Sequence, residues 1–144
     1  MSNMTAPMTI VMLDDNQDEL FLTKRRLRQE GFVNNVISEK DPARLFDILD
    51  MISSAEGARR SVIILLDLNM PESNGIEVLQ KIRKSNRYKD ATVLMLSSSD
   101  DEADILDALD EGANGYIVKP FRSDEFFAAL SNVKSVRYQL VQAQ

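Results

Sequence analysis

The run Val62-Ile-Ile-Leu-Leu66 is apolar at every position and stops on an aspartate, Asp67. A strand with one wet face alternates apolar and polar residues, whereas a strand covered on both faces reads as a continuous apolar run. Residues 62–66 therefore predict a central parallel strand with helices on either side, and that requirement excludes most all-β and all-α designs. Three more runs behave in the same way: Ile10-Val-Met-Leu13 meets Asp14-Asp15, Val93-Leu-Met-Leu96 meets Ser97, and Tyr116-Ile-Val118 meets Lys119-Pro120. In open parallel sheets ligands bind in the crevice outside the carboxyl ends of the strands, so the four endings describe one site. Carboxylates, a hydroxyl and an ammonium converging there suit Mg2+ and a phosphoryl group.

The segments between these runs carry helix signals. Residues 17–30 read as a helix stopped by Gly31, a residue that takes the left-handed conformation without a Cβ clash. Residues 35–38 form a short second strand. Asp41-Pro42 places a cap acceptor before a proline at the first helical position and opens a helix to about residue 51, with residues 53–61 as its exit loop. Met70-Pro71 and Ser73-Asn74-Gly75 form a turn, after which Ile76, Leu79, Ile82 and Arg83 carry the period of a third helix. Following the strand at 92–96, Ser99-Asp-Asp-Glu102 has the form of a capping box for a helix to about Glu111. Gly112 and Gly115 bracket the next turn, and Ser123 caps a last helix carrying Phe126, Phe127, Leu130 and Val133. Five strands alternating with five helices imply a parallel α/β sheet with right-handed crossovers.

Composition narrows the chemistry. The 144 residues, 44% of them hydrophobic, suffice for one buried core. There is no cysteine, which excludes disulfides and thiolate chemistry. There is no histidine, so Ser-His-Asp catalysis is absent in cis and any phosphohistidine belongs to a partner. A net charge of −6 opposes direct binding to nucleic acid or anionic lipid. No apolar run approaches the length of about 18 residues that a membrane span needs, and a soluble cytoplasmic protein is expected. Lys24, Arg25, Arg26 and Arg28 spread around most of a helix and read as a solvated face rather than a docking stripe.

Taken in order, Asp14-Asp15, Asp67 with Met70-Pro71 and Gly75, Ser97, and Gly115-Tyr-Ile-Val-Lys-Pro-Phe121 resemble the receiver domain of two-component response regulators, of the stand-alone chemotaxis-regulator type. The likeness covers about residues 8 to 140. It implies a flavodoxin-like, doubly wound (βα)5 sandwich whose five-stranded parallel sheet has the order 2-1-3-4-5. Residues 1–8 are then a flexible leader and 9–144 a single receiver domain with no attached effector domain.

By the same resemblance Asp67 is the phosphoacceptor. Mg2+ is bound directly by Asp15 and Asp67, through water by Asp14, and by the backbone carbonyl of Asn69. Lys119, aimed by the turn at Pro120 and the family's cis Lys-Pro bond, pairs with a phosphoryl oxygen, Ser97 hydrogen-bonds another, and Tyr116 is the switch aromatic that turns inward when Ser97 moves. The residues at Asn69 and Ser99 set the lifetime of the phosphorylated state. The implied function is a signalling switch and phosphoprotein rather than an enzyme acting on a separate substrate. It takes its phosphoryl group from a sensor histidine kinase or histidine phosphotransfer protein, then changes its affinity for a downstream protein or passes the group on in a phosphorelay. Asp15-Asn16-Gln17-Asp18-Glu19 and the extended segment before Val62 resemble single-domain regulators that serve phytochrome-type kinases.

Bland readings stand beside these. Asp14-Asp15 could cap a helix, Lys119 could be a solvated lysine, any of Ser97, Ser98 and Ser99 could cap the helix that follows, and Tyr116 could point its hydroxyl to solvent. Two other functions compete: a pseudo-receiver that binds without being phosphorylated, and an aspartate-nucleophile phosphatase of the haloacid-dehalogenase type. The phosphatase wants a second acid two positions after Asp67, where this chain has Asn69. Val133, Val136, Tyr138, Leu140 and Val141 are more apolar than an exposed tail needs and could form a homodimer surface.

Overall fold

A computed structural model describes residues 9–30, 35–54, 62–70 and 73–131. Five parallel strands, β1 (Thr9–Leu13), β2 (Asn35–Glu39), β3 (Val62–Asp67), β4 (Thr92–Ser97) and β5 (Gly115–Val118), form one sheet in the order 2-1-3-4-5. The helices α1 (Gln17–Gln29), α2 (Pro42–Ser54), α3 (Gly75–Lys84), α4 (Glu102–Asp110) and α5 (Ser123–Ser131) alternate with them. The parallel α/β fold class is that expected from the chain, and the strand order is the one the resemblance implies.

The uniformly apolar strands have a direct packing cause. Ile10, Met12, Ile63, Leu65, Leu94 and Leu96 point to one face, where Leu20 and Leu27 of α1 and Phe126 and Leu130 of α5 cover them. Their neighbours Val11, Leu13, Ile64, Leu66, Val93 and Met95 point to the other, against Leu45 and Leu49 of α2, Val78, Leu79 and Ile82 of α3, and Ala108 of α4. Each of the three central strands, β1, β3 and β4, thus contributes to two cores, and a polar residue inside one of these runs would be buried whichever face it took. In these three strands the polar residues stand only at the ends, Thr9, Thr92, Asp67 and Ser97.

Local signals set the boundaries. Asp41 accepts from the backbone N–H of Ala43 at 2.9 Å, as expected of the α2 cap, and the Asn74 side chain caps α3 by accepting from Ile76 N at 2.8 Å. Asp14-Asp15 does not cap α1: Asn16 does, accepting from Asp18 N and Glu19 N at 2.9 and 3.1 Å. The capping box placed at Ser99 also shifts. Asp101 is the cap of α4, accepting from Ala103 N at 3.0 Å, while the Ser99 hydroxyl accepts from Asp101 N at 3.2 Å and donates to Asp104 at 2.6 Å. In place of a plain turn after β3, Asn69–Met70 and Ser73–Asn74 pair as a two-residue antiparallel ribbon.

Arg83, on the buried stripe of α3, reaches across to three backbone carbonyls, of Gly112, Lys89 and Ala91, and to the Asn114 side chain, at 2.7 to 3.0 Å. Gly112 has φ +109°, a left-handed conformation that only glycine adopts without strain, and this turn presents its carbonyl to the guanidinium. The Lys119–Pro120 bond is cis. No helix among the described residues is long and apolar enough to cross a membrane. The leader 1–8, Gly31, Pro71 and the apolar tail from Val133 to Val141 lie outside the described residues.

Candidate functional site

Four backbone continuations carry the polar residues to the same end of the sheet. Asp14 follows β1 directly, and its N–H extends the ladder to Glu39 O at 3.1 Å. Asp67 is the last residue of β3, in register with Leu96, and Ser97 is the last of β4, in register with Val118. Lys119 follows β5, held by its N–H on Ser97 O at 2.7 Å. A rigid central sheet therefore fixes where every one of these side chains begins.

Carboxylate oxygens of Asp14, Asp15 and Asp67 lie within 4.8 Å of one another. Asp67 and Asp14 are buried, with 3% and 5% exposure, whereas Asp15 is exposed. The Lys119 ammonium stands 3.2 Å from Asp14 Oδ2 and 3.2 Å from Asp67 Oδ1, and it also contacts Glu19 Oε1. Lys119 is thus no solvated surface lysine.

Burial pushes the Asp14 carboxyl up to about 7, and the Asp67 charge adds to this; the Asn16 N–H and Lys119 oppose it. Burial likewise raises Asp67 above the usual carboxylate range, against the opposing pull of Lys119. Burial alone would lower Lys119, but the Glu19 contact and the Asp14 and Asp67 charges outweigh it, so the ammonium stays protonated more firmly than usual. Three carboxylates, Asp14, Asp67 and Glu19, meet the one ammonium and Asp15 stands beside Asp14 and Asp67, so hard oxygen donors outnumber the cation, with no histidine or cysteine to favour a softer metal. The donor set fits a divalent cation of the magnesium type.

Ser97 is fully buried, at 0% exposure. Its Oγ accepts from Asn69 Nδ2 at 3.3 Å and from Ser99 N at 3.0 Å. Tyr116 lies half-buried on β5 beside Met95, packs into the core under α2, α3 and α4, and donates its hydroxyl to Ser99 O at 2.9 Å. The tyrosine hydroxyl is therefore tied to the Ser97–Ser99 loop and does not point to solvent.

At Gly75 the first turn of α3 crosses the end of β3: a Cβ there would sit 2.3 Å from Asp67 O and 2.8 Å from Leu68 Cα. Only a residue without a side chain allows α3 to pack so close to Asp67, and Gly75 N donates to Leu68 O at 3.0 Å. The basic cluster on α1 is largely solvated, although Arg26 donates to Phe121 O at 3.4 Å. Among the described residues, Glu19 is the contributor to which the sequence assigns no role at this site. Its signal was an acid at the third position of the helix that follows the acidic strand end.

Against known proteins, the family described as the response regulator receiver domain matches residues 10–131. The chain is 29% identical over 114 residues to chemotaxis protein CheY1 of Helicobacter pylori (strain J99 / ATCC 700824), covering 79% of this chain and 86% of that protein. Among solved structures it is similar to the bacteriophytochrome response regulator RtBRR, with 32% identity and a TM-score of 0.73 over 94% of this chain and 82% of that one. It is also similar to the bacteriophytochrome response regulator AtBRR, with 29% identity and a TM-score of 0.75 over 94% and 97% of the two chains.

Proposed function

This chain belongs to the response regulator receiver family, and on that footing we propose that Asp67 accepts a phosphoryl group from the phosphohistidine of a partner protein. The observation that carries the reading is the Lys119 ammonium held 3.2 Å from Asp67 Oδ1, beside a cluster of carboxylates with excess negative charge. An Asp67 oxygen attacks phosphorus in line with the departing imidazole nitrogen; the N–P bond breaks, an O–P bond forms, and the imidazole leaves with its electron pair. Asp15 and Asp67 directly, Asp14 through water and the Asn69 carbonyl would hold Mg2+, which when bound would supply screening of the charge between carboxylate and phosphoryl group.

Lys119 then donates to one phosphoryl oxygen. Ser97 serves another: its two observed bonds both use Oγ as acceptor, which leaves the hydroxyl proton to be donated. Hydrolysis returns Asp67 when water attacks the same phosphorus. Asn69 bears an amide where the phosphatase alternative needs an acid, and that amide donates to Ser97, so leaving-group protonation has no source there.

The modification adds a charge of about −1.5 to −2 at the end of β3, and the response of Ser97 and Tyr116 turns it into a change of affinity for a downstream protein. The donor is a sensor histidine kinase or histidine phosphotransfer protein in the cytoplasm. Likeness to two bacteriophytochrome response regulators supports a phytochrome-type kinase. The test is intact mass after incubation with acetyl phosphate and Mg2+, repeated with chelator and with Asp67→Asn. One added phosphoryl group, lost in both controls, is expected; an unmodified chain in every condition removes the phosphoacceptor assignment and leaves the pseudo-receiver.

A further inference from the structure

An acid at the third position of a helix ordinarily reaches back to the N–H of the cap residue. Glu19 holds that position in α1, its own N–H bonded to the Asn16 cap at 3.1 Å. Here the Asn16 N–H is already taken, donating to Asp14 Oδ1 at 2.9 Å. The Glu19 carboxylate is released from capping, and it turns instead to the Lys119 ammonium, 100 residues further along the chain. The Lys119 contact holds the Glu19 carboxyl below its usual range, against a smaller effect of burial.

The bonds close into a ring. Asn16 holds both Asp14 Oδ1 and the Glu19 backbone, Glu19 accepts from Lys119, and Lys119 donates to Asp14 Oδ2 at 3.2 Å. An ammonium has three donors, and Lys119 faces three carboxylates, Asp14, Asp67 and Glu19. Asp67 is the proposed acceptor, and Asp14 belongs to the cation-binding group. Glu19 lies outside that group, so it alone can keep hold of Lys119 while the other two exchange partners.

The hold matters because lysine is a point charge on a flexible four-carbon stem. Beside that stem lies a cavity of about 160 Å3, lined among others by Glu19, Leu22, Thr23, Leu96 and Phe121. The cavity gives the ammonium room to swing away from Asp67.

We propose that Glu19 is a positioning residue, a tether on α1 that keeps the Lys119 ammonium aimed at the phosphoryl position above Asp67. The inference rests on the phosphoacceptor reading of Asp67. Misplacing a catalytic group by about 1 Å can cost on the order of a hundredfold in rate, and a tether that restrains rather than supplies the charge has a smaller effect. Glu19→Ala is expected to slow phosphorylation by acetyl phosphate about tenfold. Glu19→Gln keeps an acceptor for Lys119 and should stay within about threefold of the parent rate. Mg2+ affinity, measured by calorimetry, is expected to change less than about twofold in both, because Glu19 stands outside the carboxylate group.

A Lys119→Ala background supplies the decisive arm: with nothing left to tether, adding Glu19→Ala should have no further effect, and an additive loss overturns the proposal. So does a Glu19→Ala rate equal to or above the parent's, since removing a negative charge would by itself favour an anionic donor. An unmodified parent chain sinks the phosphoacceptor reading together with the tether, whereas a phosphorylated parent with an unaffected Glu19→Ala variant sinks the tether alone.

Discussion

Replacing Asp14 by asparagine should make the metal-free protein more stable, although it damages the proposed site. The Asp14 carboxyl is raised from 3.8 to about 7 by burial and by the Asp67 charge, so the folded chain holds the proton more tightly than the unfolded one. A raised acid contributes stability that is fully present below the unfolded value and is lost as pH rises through the folded one. At about 1.36 kcal/mol per pH unit, full charging of Asp14 above pH 7 costs about 4 kcal/mol. Asparagine avoids that cost and can still accept from Asn16 N, and the loss of the 3.2 Å ion pair with Lys119 is not subtracted again, because the value of about 7 already contains the opposing pull of Lys119. The expected net gain is about 4 kcal/mol at pH 8 in chelator, or roughly 8–16 °C in Tm for a chain of this size.

Urea melts followed by far-ultraviolet circular dichroism suit a chain without tryptophan. The gain should shrink as pH falls through about 7 and be nearly gone by about pH 3, below the ordinary value of 3.8, where Asp14 is protonated in both states. With Mg2+ at about ten times its Kd the parent recovers about 1.4 kcal/mol and the variant less. An Asp14→Asn variant no more stable than the parent at pH 8 in chelator would refute the reasoning, because burial and like charge could not then be what raises the group.

Three further expectations come from named contacts. Gly75→Ala places a Cβ where Asp67 O and Leu68 Cα stand, so it should cost about 1–3 kcal/mol in a urea melt and slow adduct formation by displacing Asp67; an unchanged melt and rate would contradict the close approach. Arg83→Ala removes bonds to three carbonyls and one side chain and should cost about 2–4 kcal/mol, with Arg83→Lys recovering little because one ammonium cannot span the same acceptors; full recovery in the lysine variant would show that charge rather than the fork matters. Tyr116→Phe loses the bond to Ser99 O and about 1 kcal/mol, and it should leave adduct formation within about twofold while shrinking the phosphorylation-dependent change in amide exchange over residues 98–104; an undiminished exchange response would remove Tyr116 from the switch.

What the chain discloses in advance follows from how local each determinant is. The strands were legible because two buried faces forbid polar residues, which makes the first polar residue of each run conspicuous; Asp67 and Ser97 stand inside the observed strands as their last residues. The α4 cap was misplaced because Ser99 and Asp101 both bear a short acceptor, and only the path of the backbone decides which one meets Ala103 N. The ribbon after Asp67 has two residues per strand, too few to show a period. Arg83 carries the same helical period as Ile76, Leu79 and Ile82, so the period alone conceals its staple, and a guanidinium on an otherwise apolar stripe is the one local clue to it. Glu19 was hidden most completely, since its local reading as a capping acid is sound and only the prior claim of Asp14 on the Asn16 N–H overturns it.

The same contacts limit how strong the proposed switch can be. A modification shifts a two-state equilibrium only by the difference in the contacts it makes in the two states. Ser99 is the joint: its N–H donates to Ser97 Oγ, its carbonyl accepts from Tyr116, and its hydroxyl donates to Asp104 on α4. If Ser97 turns towards a phosphoryl oxygen, the Ser99 N–H and the Asn69 amide lose their acceptor, at about 1 kcal/mol each. The new charge-assisted bonds from Lys119 and Ser97 are worth roughly 1.5–3 kcal/mol each and must exceed that loss. A surplus of about 1–4 kcal/mol remains to move the Ser99 carbonyl and with it Tyr116, enough for a shift of about 5- to 850-fold in partner affinity and short of the roughly ten-thousandfold that inverting a two-state equilibrium takes. Phosphorylation of this chain should therefore grade a partner equilibrium rather than lock it, and much of that grading depends on a serine that no motif singles out as part of the switch.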